Sequence, residues 1–159
     1  IPDGWSIIPR DELRELSPNG SAAQADRSGQ PVSSAGWKPL INFRRNESNS
    51  FLSSLQVWDG KPEEEWESRL EAYRQQLLAT YQATGVPMEA VDTETVMIDG
   101  LEFKMFEIRL LGPEETVVLT QQFYNRLIND YNVRIMLDYN TKADRDVMIG
   151  ALQKSQFRK

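Results

Sequence analysis

The clearest pattern lies late in the chain. Tyr131, Val133, Ile135, Leu137 and Tyr139 alternate with Asn132, Arg134, Met136 and Asp138. A period of two predicts a strand with one apolar side and one mixed side. Residues 91–98, 101–111 and 116–128 also read as strands, bounded by turn residues. Asp99-Gly100 joins the first two and Asn129-Asp130 precedes the alternating segment; both are tight turns, the first of type I′. Within 101–111 the apolar positions are Leu101, Phe103 and Met105, then Phe106, Ile108 and Leu110. That change of parity predicts a β-bulge near Met105 and Phe106.

The pattern upstream has a helical period. Trp66, Leu70, Tyr73, Leu77 and Tyr81 step by four, three, four and four, giving one apolar stripe on a helix over 62–83. Acidic residues fill its first turn, Gly85 suits its C′ position and Pro87 bars its continuation. Before it, 39–45 and 51–58 form an antiparallel hairpin through the polar connection 46–50, with Phe51, Ser53, Leu55 and Val57 on one face. A short strand around Ile7 and a short helix over 9–16 open the chain. At the other end Thr141 and Asp144 start a capped helix reaching about residue 155. Val147, Met148, Ala151 and Leu152 are its inward positions, and Phe157 anchors the end.

The order is β-α-loop-ββ-α-ββββ-α. Hairpin connections predict an α+β fold in which a largely antiparallel sheet of six to seven strands is sandwiched by helices. Residues 1–159 read as one domain with a long polar loop at 17–38. Between Ser17 and Pro39 the only bulky apolar residues are Val32 and Trp37. Loops of that length are kept for binding or tolerated as slack.

This order, with certain residues, resembles the PsbP-like superfamily, which includes the extrinsic photosystem II subunit, Mog-like proteins and bacterial lipoproteins and chaperones. The matching pieces are Pro2-Asp3-Gly4-Trp5, the amphipathic helix after the hairpin, Met97-Ile98-Asp99-Gly100-Leu101-Glu102-Phe103, and the ending from Met148 to Phe157. The resemblance covers nearly the whole chain in order. It implies an α/β/α sandwich that works mainly by binding, with no catalytic residue.

Composition narrows the chemistry. The 159 residues include no Cys and no His, which excludes disulfides, cysteine nucleophiles, Cys/His zinc sites and imidazole acid–base catalysis. Neither glycine-rich phosphate-loop pattern occurs. The net charge is −6, carried entirely by 62–159, with no basic cluster, so neither nucleic acid nor an anionic membrane surface is an expected partner. No run of 18 apolar residues exists, so the chain is not membrane-spanning. The start at Ile1 fits a removed leader, which makes export to the periplasm or cell envelope, with an optional lipid anchor, the favoured location and the cytoplasm the alternative.

Candidate chemistry is sparse. The Glu63–Glu65 run with Glu67 reads as a helix start rather than a calcium site, because consecutive helical carboxylates diverge. Asp144 reads as a capping acid, and Asp138 shows no evident partner or perturbing pocket, so no enzyme, cofactor or metal is expected. Trp5, Trp58 and Trp66 read as core. Trp37 either pins the polar loop or is an exposed anchor. The binding candidates are Trp37, Arg44 and Arg45, although the two arginines point to opposite faces unless their strand bends. The expectation is a non-catalytic protein-binding or assembly module with a protein partner. The alternative is a carrier of a small apolar ligand or lipid in a cleft between sheet and long helix, lined by Met136, Met105 and Met97.

Overall fold

The computed structural model describes residues 1–9, 12, 37–58 and 63–157. Its elements are β1 (Ser6–Ile7), β2 (Lys38–Pro39), β3 (Phe43–Asn46), β4 (Asn49–Val57), α1 (Glu63–Thr84), β5 (Met88–Ile98), β6 (Leu101–Leu111), β7 (Val117–Ile128), β8 (Tyr131–Tyr139) and α2 (Lys142–Gln153). Glu12 is helical, but the rest of the expected helix over 9–16, and the polar loop up to residue 36, lie outside the described residues beyond Pro9.

Two-residue turns set the pairing. Asp99 and Gly100 have φ of 51° and 72°, and Asn129 and Asp130 have 43° and 58°. Positive φ at both central residues makes each a type I′ turn, whose twist matches the flanking strands. The strand order is β1-β3-β4-β8-β7-β6-β5, with β2 on β4 and every pairing antiparallel. The eighth strand arises because the segment expected at 39–45 is split. β2 and β3 lie along the same edge of β4 with Leu40, Ile41 and Asn42 between them. There the Ser53 amide donates to Asn42 Oδ1 at 2.7 Å, and Ser53 Oγ donates to the Ile41 carbonyl at 2.6 Å. The interruption thus keeps its buried polar groups satisfied.

The two helices cover opposite faces. Under α2 lie Phe103, Met105, Tyr124, Ile135 and Leu137, against Met148 and Leu152. Under α1 lie Phe106, Ile108, Phe123 and Met136, against Leu77. The bulge expected near Met105 and Phe106 is found at that level of the sheet, but not in β6 itself. The β6–β7 register runs unbroken from Lys104↔Asn125 to Leu110↔Leu119. Both faces of β6 are buried, so its apolar positions change parity without an extra residue in β6. A bulge does lie at this level in the β5–β6 ladder, but its extra residue is in β5, between Val91 and Glu94 and opposite Phe106.

Thr141 caps α2: its Oγ1 accepts from the Asp144 amide at 3.1 Å and donates to Asp144 Oδ2 at 2.8 Å. The inward stripe is Asp144, Met148 and Leu152, four residues apart. Val147 falls off that stripe and is exposed, contrary to expectation. Phe157 does anchor the end. Its ring lies 5.1 Å from Phe103 and its amide donates to Asp99 Oδ2 at 2.8 Å.

Candidate functional site

The mixed side of β8 does not face solvent. Asn132, Arg134, Met136 and Asp138 stand opposite Gln56, Ser54, Leu52 and Ser50 of β4, and opposite Leu127, Asn125, Phe123 and Gln121 of β7. Cross-strand partners share a face, and α1 lies over this one. The middle of the row is apolar and its flanks are polar, which makes a polar seam beneath the long helix.

At one end Trp66 Nε1 donates to Asn132 Oδ1 at 3.1 Å. Next comes Arg134. Its guanidinium lies 3.7 Å from the Tyr73 ring centre and 4.5 Å from that of Trp37, and its Nε donates to Asn125 Oδ1 at 3.1 Å. Burial lowers its pKa, because desolvation disfavours the cation. The same burial raises the Tyr73 pKa. Tyr73 Oη and Asn125 Nδ2 are both buried with no hydrogen-bond partner.

Asp138 closes the row. Ser50 Oγ donates to its Oδ2 at 3.0 Å and Gln121 Nε2 to its Oδ1 at 2.9 Å, while Tyr81 Oη donates to Gln121 Oε1. Asp138 keeps some accessible surface, yet the protein atoms packed around it push its pKa up to about 6 despite those hydrogen bonds. The expectation that no environment perturbs Asp138 is therefore corrected. Asp144 lies on the other face of the sheet. Its carboxylate receives Arg45 Nη1 at 2.7 Å, which holds its pKa below the ordinary value.

The sequence-derived candidates do not converge. Trp37 is partly buried on the α1 side, against Arg134. Arg44 pairs with Glu12 at 2.5 Å, whereas Arg45, the extra residue in β3, reaches the first turn of α2. Glu65 pairs with Arg69 and Glu67 with Lys104. Met136 and Met105 lie on opposite faces and Met97 is exposed, so the three methionines share no cleft. The residues missed from sequence are Arg134, Tyr73, Asn125 and Gln121. A signal for them existed. The two-residue turn at Asn129-Asp130 fixes the β7–β8 register, and that register alone sets Gln121 beside Asp138 and Asn125 beside Arg134.

A second polar cluster sits on the α2 side. Glu107 accepts from Arg109 Nε at 2.6 Å and Gln122 Nε2 at 2.7 Å. Nearby, a hollow of about 250 Å³ is lined by Thr120, Tyr139, Thr141, Lys142 and Arg145, among others. Among the described residues no group of three or more carboxylates could hold a metal ion, and no helix is long and apolar enough to cross a membrane.

No protein-family model matches the chain, and no curated protein does. Among solved structures it is similar to the cyanobacterial PsbP (CyanoP) of Synechocystis sp. PCC 6803, whose structure was determined in solution. Identity is 12%, the match covers 96% of this chain and 78% of that one, and the TM-score is 0.54. At that identity the likeness speaks to architecture alone: the chain has a PsbP-like α+β fold.

Proposed function

We propose that this chain is a non-catalytic module that binds a protein partner and serves in assembly. The observation that carries the reading is an apolar corner of the sheet that no described element covers. α2 crosses its face diagonally, from Arg45 beside its first turn to Phe157 at the Asp99-Gly100 turn. The corner it leaves bare holds Val57 and Tyr131, which are register partners and are 58% and 43% exposed. Leu40, 47% exposed, pairs through its amide with Ser53, farther along β4. Contiguous exposed apolar surface is characteristic of protein interfaces, and Tyr is a favoured anchor there.

Further support comes from the filled interior under α1. Phe106 and Phe123 stack at 4.7 Å with Tyr73 edge-on to both, and Leu77 packs beside them. That packing favours partner binding over carriage of an apolar ligand between helix and sheet. The PsbP-like fold and the net charge of −6 are consistent with a protein partner rather than nucleic acid. The reading includes export to the periplasm or cell envelope, which rests on the family resemblance. Trp37 stays in the proposal as a secondary contact. Arg44 and Arg45 are engaged by Glu12 and Asp144 and receive no role in it.

The test is affinity capture from the native source with wild type, Tyr131→Glu and Trp37→Ala, with circular dichroism as the folding control. A chain with 17–35 replaced by a short Gly/Ser connection probes the polar loop in the same assay. One partner should be enriched by wild type and fall at least tenfold with Tyr131→Glu. Equal recovery by wild type and a folded Tyr131→Glu would refute the corner as the interface.

A further inference from the structure

Arg134 is a largely buried cation without a counter-ion among the described residues. Its guanidinium is held between the rings of Tyr73 and Trp37, and the one hydrogen bond it makes among the described residues is from Nε to Asn125. The carboxylate on the same strand, Asp138, is four residues away and already occupied by Ser50 and Gln121. Burying a cation unpaired is costly, and proteins ordinarily supply an anion. Two more polar atoms beside Arg134 are also unmatched: Asn125 Nδ2, on a residue with no exposed surface, and Tyr73 Oη. The unmatched atoms beside this guanidinium, the Asn125 amide nitrogen and the Tyr73 hydroxyl, can both donate, as can its own Nη atoms, which no described residue accepts from. What the group lacks is an acceptor carrying negative charge. Arg134 and Tyr73 each keep some accessible surface, while Tyr73 Oη and Asn125 Nδ2 are themselves buried, so a ligand enters along the Arg134 edge.

We propose that the polar margin of the seam beneath α1 binds a carboxylate, held by Arg134 with Asn125 and Tyr73 and flanked by Trp37. A planar carboxylate matches the fork of an arginine whose plane is already fixed by stacking. Its single charge balances the single buried cation. A phosphate would bring a second charge into a seam that also contains Asp138. The site lies on the opposite face of the sheet from Val57 and Tyr131, so it stands or falls independently of the protein-binding corner. The carboxylate belongs either to a free small acid or to a chain terminus.

The test is NMR of the Arg134 Nε–H and Asn125 side-chain amide signals during titration at constant ionic strength. The probes are sodium acetate and N-acetyl-Ala-Ala with a free carboxylate; the controls are sodium chloride and the amide of the same dipeptide. Saturable shifts with either carboxylate probe and none with the controls are expected. A response to acetate identifies a small acid as sufficient, and a response to the dipeptide acid alone identifies a chain terminus. Arg134→Lys should weaken binding at least tenfold. Asn125→Asp places a carboxylate against Arg134 within the fold and should abolish binding while raising the melting temperature, so it carries the test if the lysine variant fails to fold. Identical responses to carboxylate probes and controls would overturn the proposal and leave water as the only occupant. So would binding unchanged in both variants.

Discussion

On the α2 side of the sheet the buried carboxylates have their partners, although Arg126 Nε on that face has none among the described residues: Asp144 receives Arg45 and Thr141, and Glu107 receives Arg109 and Gln122. On the α1 side Arg134 has no counter-ion among the described residues, Asp138 has no cation, and Tyr73 and Asn125 keep unpartnered atoms. Both sides have an apolar centre of the same kind. The difference lies in how the charges at its margins are satisfied. A fold maintained for stability alone would gain by replacing such a seam with apolar side chains, which sets the seam apart from the paired carboxylates under α2.

The apolar centres should therefore break alike. Phe103 under α2 and Phe106 under α1 both have no exposed surface, and each truncation to Ala should cost about 3–5 kcal/mol in chemical denaturation. A loss below about 1 kcal/mol at Phe106 alone would mean that α1 covers its face loosely. On α1 itself, Leu77→Ala should cost about 2–5 kcal/mol. Leu70 is only partly buried, so Leu70→Ala should cost less, about 1–2 kcal/mol, because part of its surface is already in water.

The helical period marked α1 correctly, but it could not rank Leu70 below Leu77. Burial along one stripe depends on how the helix axis crosses the sheet, and no local pattern encodes that angle. The parity change in β6 misplaced the bulge for a related reason. Met105 and Phe106 are both buried because two helices cover the two faces, and a single strand read alone cannot distinguish that from a bulge. The turns at Asp99-Gly100 and Asn129-Asp130 were legible because their chemistry is local. The seam was read as a mixed face because Asn132, Arg134 and Asp138 look solvent-facing in isolation. Only their register with Asn125 and Gln121, under a helix distant in sequence, turns them into a site.

The charged margins should then break in opposite directions. Asp138→Asn keeps the shape, accepts from Gln121 and donates to Ser50. It should stabilise the fold at pH 8 by about 1–3 kcal/mol, since a pKa raised from 3.8 to about 6 means that the ionised form is disfavoured in the folded state. Asp144→Ala removes the carboxylate that receives Thr141 Oγ1 and Arg45 at the start of α2, and should destabilise by about 0.5–2 kcal/mol. Equal signs for the two substitutions, read from denaturation midpoints at pH 8, would erase the contrast between the faces.

The same opposition should appear against pH. Asp144, with its lowered pKa, contributes stability above the ordinary carboxylate value and loses it only as pH falls through the lower folded value. Asp138, with its raised pKa, imposes a penalty above about pH 6 that fades as pH drops toward 3.8. The most direct measurement is therefore the pH titration of the Asp138 side-chain carboxyl carbon by NMR in the folded protein. A midpoint near 6, with Asp144 titrating below 3.8, is the result expected of a seam that holds its charge without a counter-ion. A midpoint for Asp138 at or below 3.8 would contradict it, because the carboxylate would then be as well satisfied as its counterpart under α2.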